Sequence, residues 1–133
     1  MWTHLLQPML SKLPFAGLNG TPKNALASPW SIGLQELTEI RSLEDDWDGQ
    51  GALAPSSELV ESAEELAREL QTLRVAGPSC VVPGVNGTVV FEWEFGPDLS
   101  IEIEVTEPGA GEGFLLATGS QAEYWSLKEP VSV

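Results

Sequence analysis

The sequence predicts an α+β fold in which two helices precede an antiparallel meander of four or five strands. The apolar residues of the stretch 57–74 recur at helical spacing, whereas those after residue 80 alternate at every second position, which is the spacing of a strand. A length of 133 residues suits one domain that buries its own core. We therefore expect one helix to pack on the apolar face of the sheet.

The first predicted helix runs from Ser31 to about Leu43. Ser31 can act as its N-cap. An amphipathic pattern follows at spacings of three to five residues, formed by Ile32, Leu37, Ile40 and Leu43. The acidic turn 44–49 ends the helix, because Gly49 can adopt the positive φ angles that a helix excludes.

The second predicted helix covers residues 57–74 and has the clearest pattern. The stretch 55–57 supplies a cap, and Glu58 adds negative charge to the first turn, where the helix dipole favours it. Gly77 and Pro78 stop the helix shortly after its last turn. The stripe that faces the core is formed by Leu59, Ala63, Leu66, Leu70 and Leu73.

Two hairpins follow a short first strand. The first hairpin turns at Gly96-Pro97-Asp98 and the second around Gly119-Ser120. The predicted strands cover residues 80–82, 89–95, 99–105, 114–118 and 123–127. We expect the second helix and the sheet to share one core, formed by Leu66, Leu70, Phe91, Trp93, Ile101 and Ile103.

Residues 1–30 are predicted to form an apolar arm, separate from an acidic domain of residues 31–133. A long helix is excluded there by Pro8, Pro14, Pro22 and Pro29, since each lacks a backbone N–H. The arm is therefore expected to be held by apolar contacts, either with its own core or with a partner. We favour the partner, because the helices and the meander already form a closed core. The side chains expected to contact this partner are Trp2, Leu5, Leu6, Leu10 and Phe15.

The arm also has some features of a secretory signal. Ala25-Leu26-Ala27 resembles a cleavage site. No basic residue opens the segment, however, and Gln7 and Pro8 interrupt its apolar run. The sequence therefore favours a cytoplasmic location over secretion.

The charge of the chain is concentrated after the arm. The net charge is −14, and residues 36–133 alone carry −16. So acidic a chain is not expected to bind nucleic acid directly, because phosphate contacts require a basic surface. No apolar run reaches the length of a membrane span. One Cys and one His exclude a disulfide framework and a structural zinc site, and no motif predicts a cofactor or a small-molecule ligand.

The acidic turn resembles the opening of a calcium-binding EF-hand loop. With Glu44 at position 1, Asp46 and Asp48 occupy positions 3 and 5. Position 12, which requires a bidentate Glu, is Pro55. Glu44, Asp46 and Asp48 are therefore weak metal candidates. The favoured interpretation is a structural turn of Trp47, Asp48 and Gly49, with Trp47 mostly buried as an anchor and an Asp side chain capping local N–H groups.

The polar face of the first hairpin gathers carboxylates. A symmetric turn pairs Phe95 with Leu99 and puts Glu92 opposite Glu102, a like-charge pair that costs about 0.2–1 kcal/mol. A solvated face tolerates this cost, so solubility alone explains the pattern. No Lys or Arg occurs between residues 75 and 127, however, and a basic partner would relieve the repulsion. The candidate partner-binding residues on this face are Glu92, Glu94, Glu102 and Glu104.

Catalysis has little support in the sequence, and we do not expect an enzyme. His4 lies in the arm and Cys80 in a strand, so no Cys–His nucleophile is suggested. A carboxyl group that acts as an acid requires partial burial, whereas strand alternation turns these glutamates toward solvent. The glycine-rich stretch 109–113 is expected to join two strands, so it is not a phosphate-binding loop.

Part of the sequence resembles a group of small uncharacterised bacterial proteins. The resemblance lies in the turn Trp47-Asp48-Gly49-Gln50-Gly51-Ala52, the helix that follows, and the strand Val89–Glu94 with its Glu-Trp pair. It covers roughly residues 37–105 and leaves the arm outside. It implies a bacterial or phage origin and the same order of helix and meander, but no activity.

Three functions are compatible with these patterns. The first is a non-enzymatic interaction protein whose acidic domain docks on a basic protein partner, as an antitoxin, an immunity protein, a nuclease inhibitor or an accessory subunit would. The second is a structural subunit of a larger assembly, held by its arm. The third is a carboxylate- or metal-dependent hydrolase built on the acidic turn. We favour the first, because the charge is high and no catalytic set is evident.

Overall fold

The computed structural model describes residues 2–15 and 29–129 and confirms the α+β class. Its helices are α1 (Trp2–Leu6), α2 (Trp30–Arg41) and α3 (Ser57–Thr72), and a 3₁₀ helix, Gln7–Lys12, follows α1 directly. Its strands are β1 (Cys80–Gly84), β2 (Thr88–Glu94), β3 (Leu99–Glu107), β4 (Ala110–Ala117) and β5 (Glu123–Leu127). None of the helices in the described ranges is long and apolar enough to cross a membrane.

The strands form one antiparallel sheet in the order β1-β2-β3-β4-β5, which is the predicted meander. The predicted register of the first hairpin is confirmed, since Glu92 pairs with Glu102 and Glu94 with Ser100. The glycine-rich stretch was expected to connect two strands, but β4 already begins at Ala110. A Cβ atom at Gly111 would clash with the backbone oxygen of Glu104, so β3 and β4 approach closely only because this residue is glycine.

Helix α3 covers one face of the sheet, and together they form the core. Ser56 caps the helix, because its hydroxyl accepts a hydrogen bond from the backbone N–H of Leu59 at 3.1 Å. All six residues predicted to share the core are buried in one cluster, namely Leu66, Leu70, Phe91, Trp93, Ile101 and Ile103. Burial of this apolar surface is the main stabilising contribution to such a fold.

Helix α2 packs along β1, the edge strand of the sheet. It begins at Trp30, with Pro29 in the N-cap position and no side-chain cap, so the prediction that Ser31 caps it was wrong. Gly33 lies directly against Pro78 and Val81, where a larger residue would press on both. The carboxylate of Glu36 then accepts the outward-facing backbone N–H of Val81 at 3.0 Å.

The N-terminal segment is part of the same core, which corrects the expectation of a separate arm. Trp2 and Leu6 have no exposed surface, and Leu5 is 6% exposed. The indole N–H of Trp2 donates to the backbone oxygen of Ser62 on α3 at 3.1 Å. The prolines exclude a long helix here but not short ones. Pro8 lies in the first turn of the 3₁₀ helix, where its missing N–H costs nothing.

Candidate docking surface

The face of the sheet opposite α3 carries the glutamates that the sequence singled out. We call Glu92, Glu94, Glu102, Glu104 and Glu112 the acidic sheet face; strand alternation and the register turn them to the same side. Glu94 is exposed, whereas the other four are half-buried. The strands thus hold five carboxylates on a rigid surface.

Glu92 and Glu102 form the centre of this face. They lie directly opposite each other on β2 and β3. Partial burial raises the pKa of Glu102, and the charge of Glu92, a hydrogen bond with its carboxyl group and the charge of Glu104 raise that pKa further. This half-burial is not evident from the sequence, because strand alternation does not show how much of a polar face the neighbouring strands cover.

Side chains of neighbouring strands donate hydrogen bonds to two glutamates of the acidic sheet face. The thiol of Cys80 on β1 donates to Oε2 of Glu92 at 3.0 Å, and the hydroxyl of Thr88 donates to Oε2 of Glu104 at 2.7 Å. Burial raises the pKa of the Cys80 thiol to about 12, and the hydrogen bond to Glu92 and nearby carboxylates contribute. A thiol held in its protonated form is a poor nucleophile, so Cys80 has a structural role here.

Apolar side chains border the acidic sheet face on the side of β4 and β5. Phe114 lies beside Glu102 in the register and contacts Tyr124 edge-on, with ring centroids 5.5 Å apart. The hydroxyl of Tyr124 donates to Glu112 at 3.0 Å, and this bond raises the pKa of the tyrosine. The position of these apolar side chains beside the glutamates does not follow from the sequence. It depends on the register of β4, which includes a bulge between Val105 and Glu107 that no sequence pattern marks.

No cation from the strands themselves neutralises this face. The chain has no Lys or Arg between residues 75 and 127. Arg41 pairs with Glu64, and Lys128 pairs with Glu107 at 3.1 Å. Within the described ranges, no cation of the strands compensates the negative charge of this face, which lies next to exposed apolar surface.

In the acidic turn, by contrast, the carboxylates bind the backbone of the turn. Asp48 accepts the N–H groups of Gln50 and Ala52 at 2.8 and 3.0 Å, and these bonds lower its pKa. Asp46 accepts the N–H of Gly51 at 2.7 Å. Gly49 has φ +74°, a conformation that favours glycine. In residues 2–15 and 29–129, no three or more His, Cys, Asp or Glu side chains are grouped so that they could hold a metal ion.

Trp47 is largely buried, as predicted, but it is not an anchor in the core. The side chain lies outside the core cluster. Its indole N–H donates to the backbone oxygen of Leu53 at 3.1 Å, which holds it along the turn rather than in the core. The turn rests instead on the β1–β2 loop, where the N–H of Leu53 donates to the oxygen of Val85 at 2.9 Å.

The arm residues proposed for a partner are mostly unavailable to one. Trp2, Leu5 and Leu6 are buried in the protein's own core, and Leu10 packs against it. Phe15 is 50% exposed, but its backbone forms a bridge to Val75. The preference for a partner was wrong for the buried residues, because the core assumed to be closed includes the surface that α1 covers. Residues 16–28, which complete the predicted arm, lie outside the described ranges.

The chain matches no protein-family model, no curated protein and no solved structure. The resemblance to small bacterial proteins and the origin that it implies therefore stay predictions.

Proposed function

We propose that this chain is a non-enzymatic interaction protein whose acidic sheet face docks on a basic surface of a protein partner. It would act as an antitoxin, an immunity protein, a nuclease inhibitor or an accessory subunit of a bacterial or phage system. The observation that carries this proposal is the Glu92–Glu102 pair, two half-buried carboxyl groups that face each other on strands that contain no Lys or Arg. A folded protein gains no stability from such a pair.

A basic partner supplies what the face lacks. An Arg or Lys side chain between opposing carboxylates replaces repulsion with charge-assisted hydrogen bonds. The surplus negative charge also steers a cationic protein toward the face and accelerates association. The half-buried positions strengthen the interaction, because partly desolvated charges are screened less by salt than exposed ones.

The two alternative functions have less support. A subunit held by its arm requires an exposed arm, whereas Trp2 and Leu6 are fully buried. A hydrolase built on the acidic turn requires carboxylates that are available to a substrate or a metal ion. Those of Asp46 and Asp48 accept backbone N–H groups of the turn instead.

The proposal is tested by affinity capture with matched variants. The bait is the full chain, compared with the double variant Glu92→Gln, Glu102→Gln and with the control Glu61→Gln, Glu65→Gln. The control makes the same charge change at exposed glutamates of α3. At low salt, the wild type and the control retain a common basic partner that the sheet-face variant loses, and the purified partner binds that variant at least about tenfold more weakly.

Salt provides the second criterion. Docking through the acidic sheet face weakens steeply as the ionic strength rises through about 0.1 M, where the screening length is about 10 Å. A partner that both double variants bind equally well, or whose affinity does not depend on salt, would refute the proposal.

A further inference from the structure

A cavity lies at one end of the acidic sheet face, between the β2–β3 turn and the β4–β5 turn. Its volume is about 470 Å³, toward the lower end of the roughly 300–1,000 Å³ of ligand pockets. Its lining is mixed: Leu99 and Leu116 are among its apolar residues, Ser100 and Thr118 among its polar ones, and its acidic residues are Glu94 and Asp98.

Backbone hydrogen bonds hold the two turns in place. The N–H of Thr118 donates to the backbone oxygen of Asp98 at 2.8 Å, which ties one turn to the other. The N–H of Phe95 donates to the oxygen of Leu99 at 2.9 Å and closes the β2–β3 turn. The cavity is therefore preformed, and a ligand that fills it loses little affinity to ordering of the loops.

The cavity is continuous with the acidic sheet face. Glu94, Ser100 and Leu116 form one cross-strand row. The neighbouring row on the same side, two residues away along each strand, contains the Glu92–Glu102 pair. Successive side chains on one face of a strand are about 7 Å apart. A short segment of a bound partner can therefore reach both rows.

We propose that the cavity receives one aromatic side chain of the basic protein partner, while Lys or Arg residues beside it contact Glu94 and the acidic sheet face. This inference rests on the proposed function and names the anchor of that interface. Leu116 is 40% exposed at the cavity, so an apolar side chain placed there removes apolar surface from water. Aromatic anchors seated in pockets dominate the binding energy of many interfaces.

Charge complementarity also selects the occupant. A second copy of this chain, with a net charge of −14, would bring more negative charge to an acidic rim. A partner segment in which cations flank an aromatic residue matches both the exposed apolar side chain of Leu116 and the acidic residues beside it. The occupant of the cavity is therefore a cationic, aromatic segment of another protein.

The test uses two lysine peptides of equal length and charge, one with a central Trp and one with a central Ala. Binding to the full chain is measured at low salt by calorimetry. We expect the Trp peptide to bind the wild type at least about fivefold more tightly than the Ala peptide. Leu116→Gln should abolish this preference and keep the affinity for the Ala peptide.

Leu53→Gln is the matched control, since Leu53 is 52% exposed but lies after the acidic turn and does not line the cavity. It should retain the preference for Trp, and thermal melting checks that both variants are folded. Equal affinity of the wild type for the two peptides would overturn the cavity proposal alone, provided that Glu92→Gln, Glu102→Gln still weakens both. If that double variant binds no more weakly than Glu61→Gln, Glu65→Gln, the proposed function fails as well.

Discussion

The acidic turn and the acidic sheet face contain the same kind of side chain and use it in opposite ways. In the turn, the carboxylate of Asp48 accepts two backbone N–H groups, and its pKa is lowered. On the sheet, Glu102 faces another carboxyl group, and its pKa is raised. Carboxylates that satisfy their own backbone stabilise the fold. Carboxylates that face each other repel, and we propose that a cationic group of a partner relieves this repulsion.

The largest expected effect separates the two faces of β3. Ile103 is fully buried against α3, next in sequence to Glu102. Ile103→Ala should lower the free energy of unfolding by about 2–5 kcal/mol, because it leaves a cavity in the core. Glu102→Gln should not lower it at all. Urea denaturation of the two variants measures both values, and a similar loss in each would show that the acidic sheet face supports the fold.

An intermediate effect is expected in the turn. Asp48→Ala removes the acceptor of two backbone N–H groups and should lower the melting temperature by several degrees. Glu92→Gln, which removes one charge from a like-charge pair, should leave it unchanged or raise it. Differential scanning calorimetry compares the two variants. If Glu92→Gln lowers the melting temperature more than Asp48→Ala does, the acidic turn and the acidic sheet face do not differ in the way described.

The smallest effect is a dependence of stability on pH. The pKa of Glu102 is raised above its ordinary value of 4.5, so the folded state takes up a proton before the unfolded state does. Its contribution to stability therefore rises as the pH falls toward 4.5. The gain should be small, since Glu102 is only half-buried and solvent screens its charge. Below the ordinary value of 3.8, protonation of Asp48 acts in the opposite direction, because its pKa is lowered.

Urea midpoints between pH 7 and pH 3 measure this profile. The double variant Glu92→Gln, Glu102→Gln should flatten the rise toward pH 4.5 and keep the loss at lower pH. An unchanged rise would assign the effect to the general relief of a net charge of −14 instead.

Local patterns predicted those parts of the fold that local geometry determines. A short turn between residues 95 and 99 fixes the register of its hairpin, so the Glu92–Glu102 pair followed from the sequence. Strong helical spacing located α3 to within a few residues. These features require no knowledge of distant contacts.

The errors concern side chains whose burial depends on how the whole chain packs. The position of Trp2 depends on α3, whose residue Ser62 lies 60 positions away in the chain. Trp47 is held by the oxygen of Leu53 rather than by the core, and a large aromatic side chain alone does not reveal that preference. Both outcomes depend on which surfaces remain uncovered after the sheet and helices have packed.

The hydrogen bond between Glu36 and Val81 makes the two edges of the sheet unequal as sites for the addition of a further strand. An edge strand with free N–H groups is a template for strand addition, in ordered assembly and in aggregation alike. Helix α2 supplies a side-chain acceptor to that template at β1. At the opposite edge, the described residues place no strand beyond β5. By this criterion we expect a further strand, whether from a partner or from an aggregating copy, to add at β5, the strand that carries Tyr124, rather than at β1.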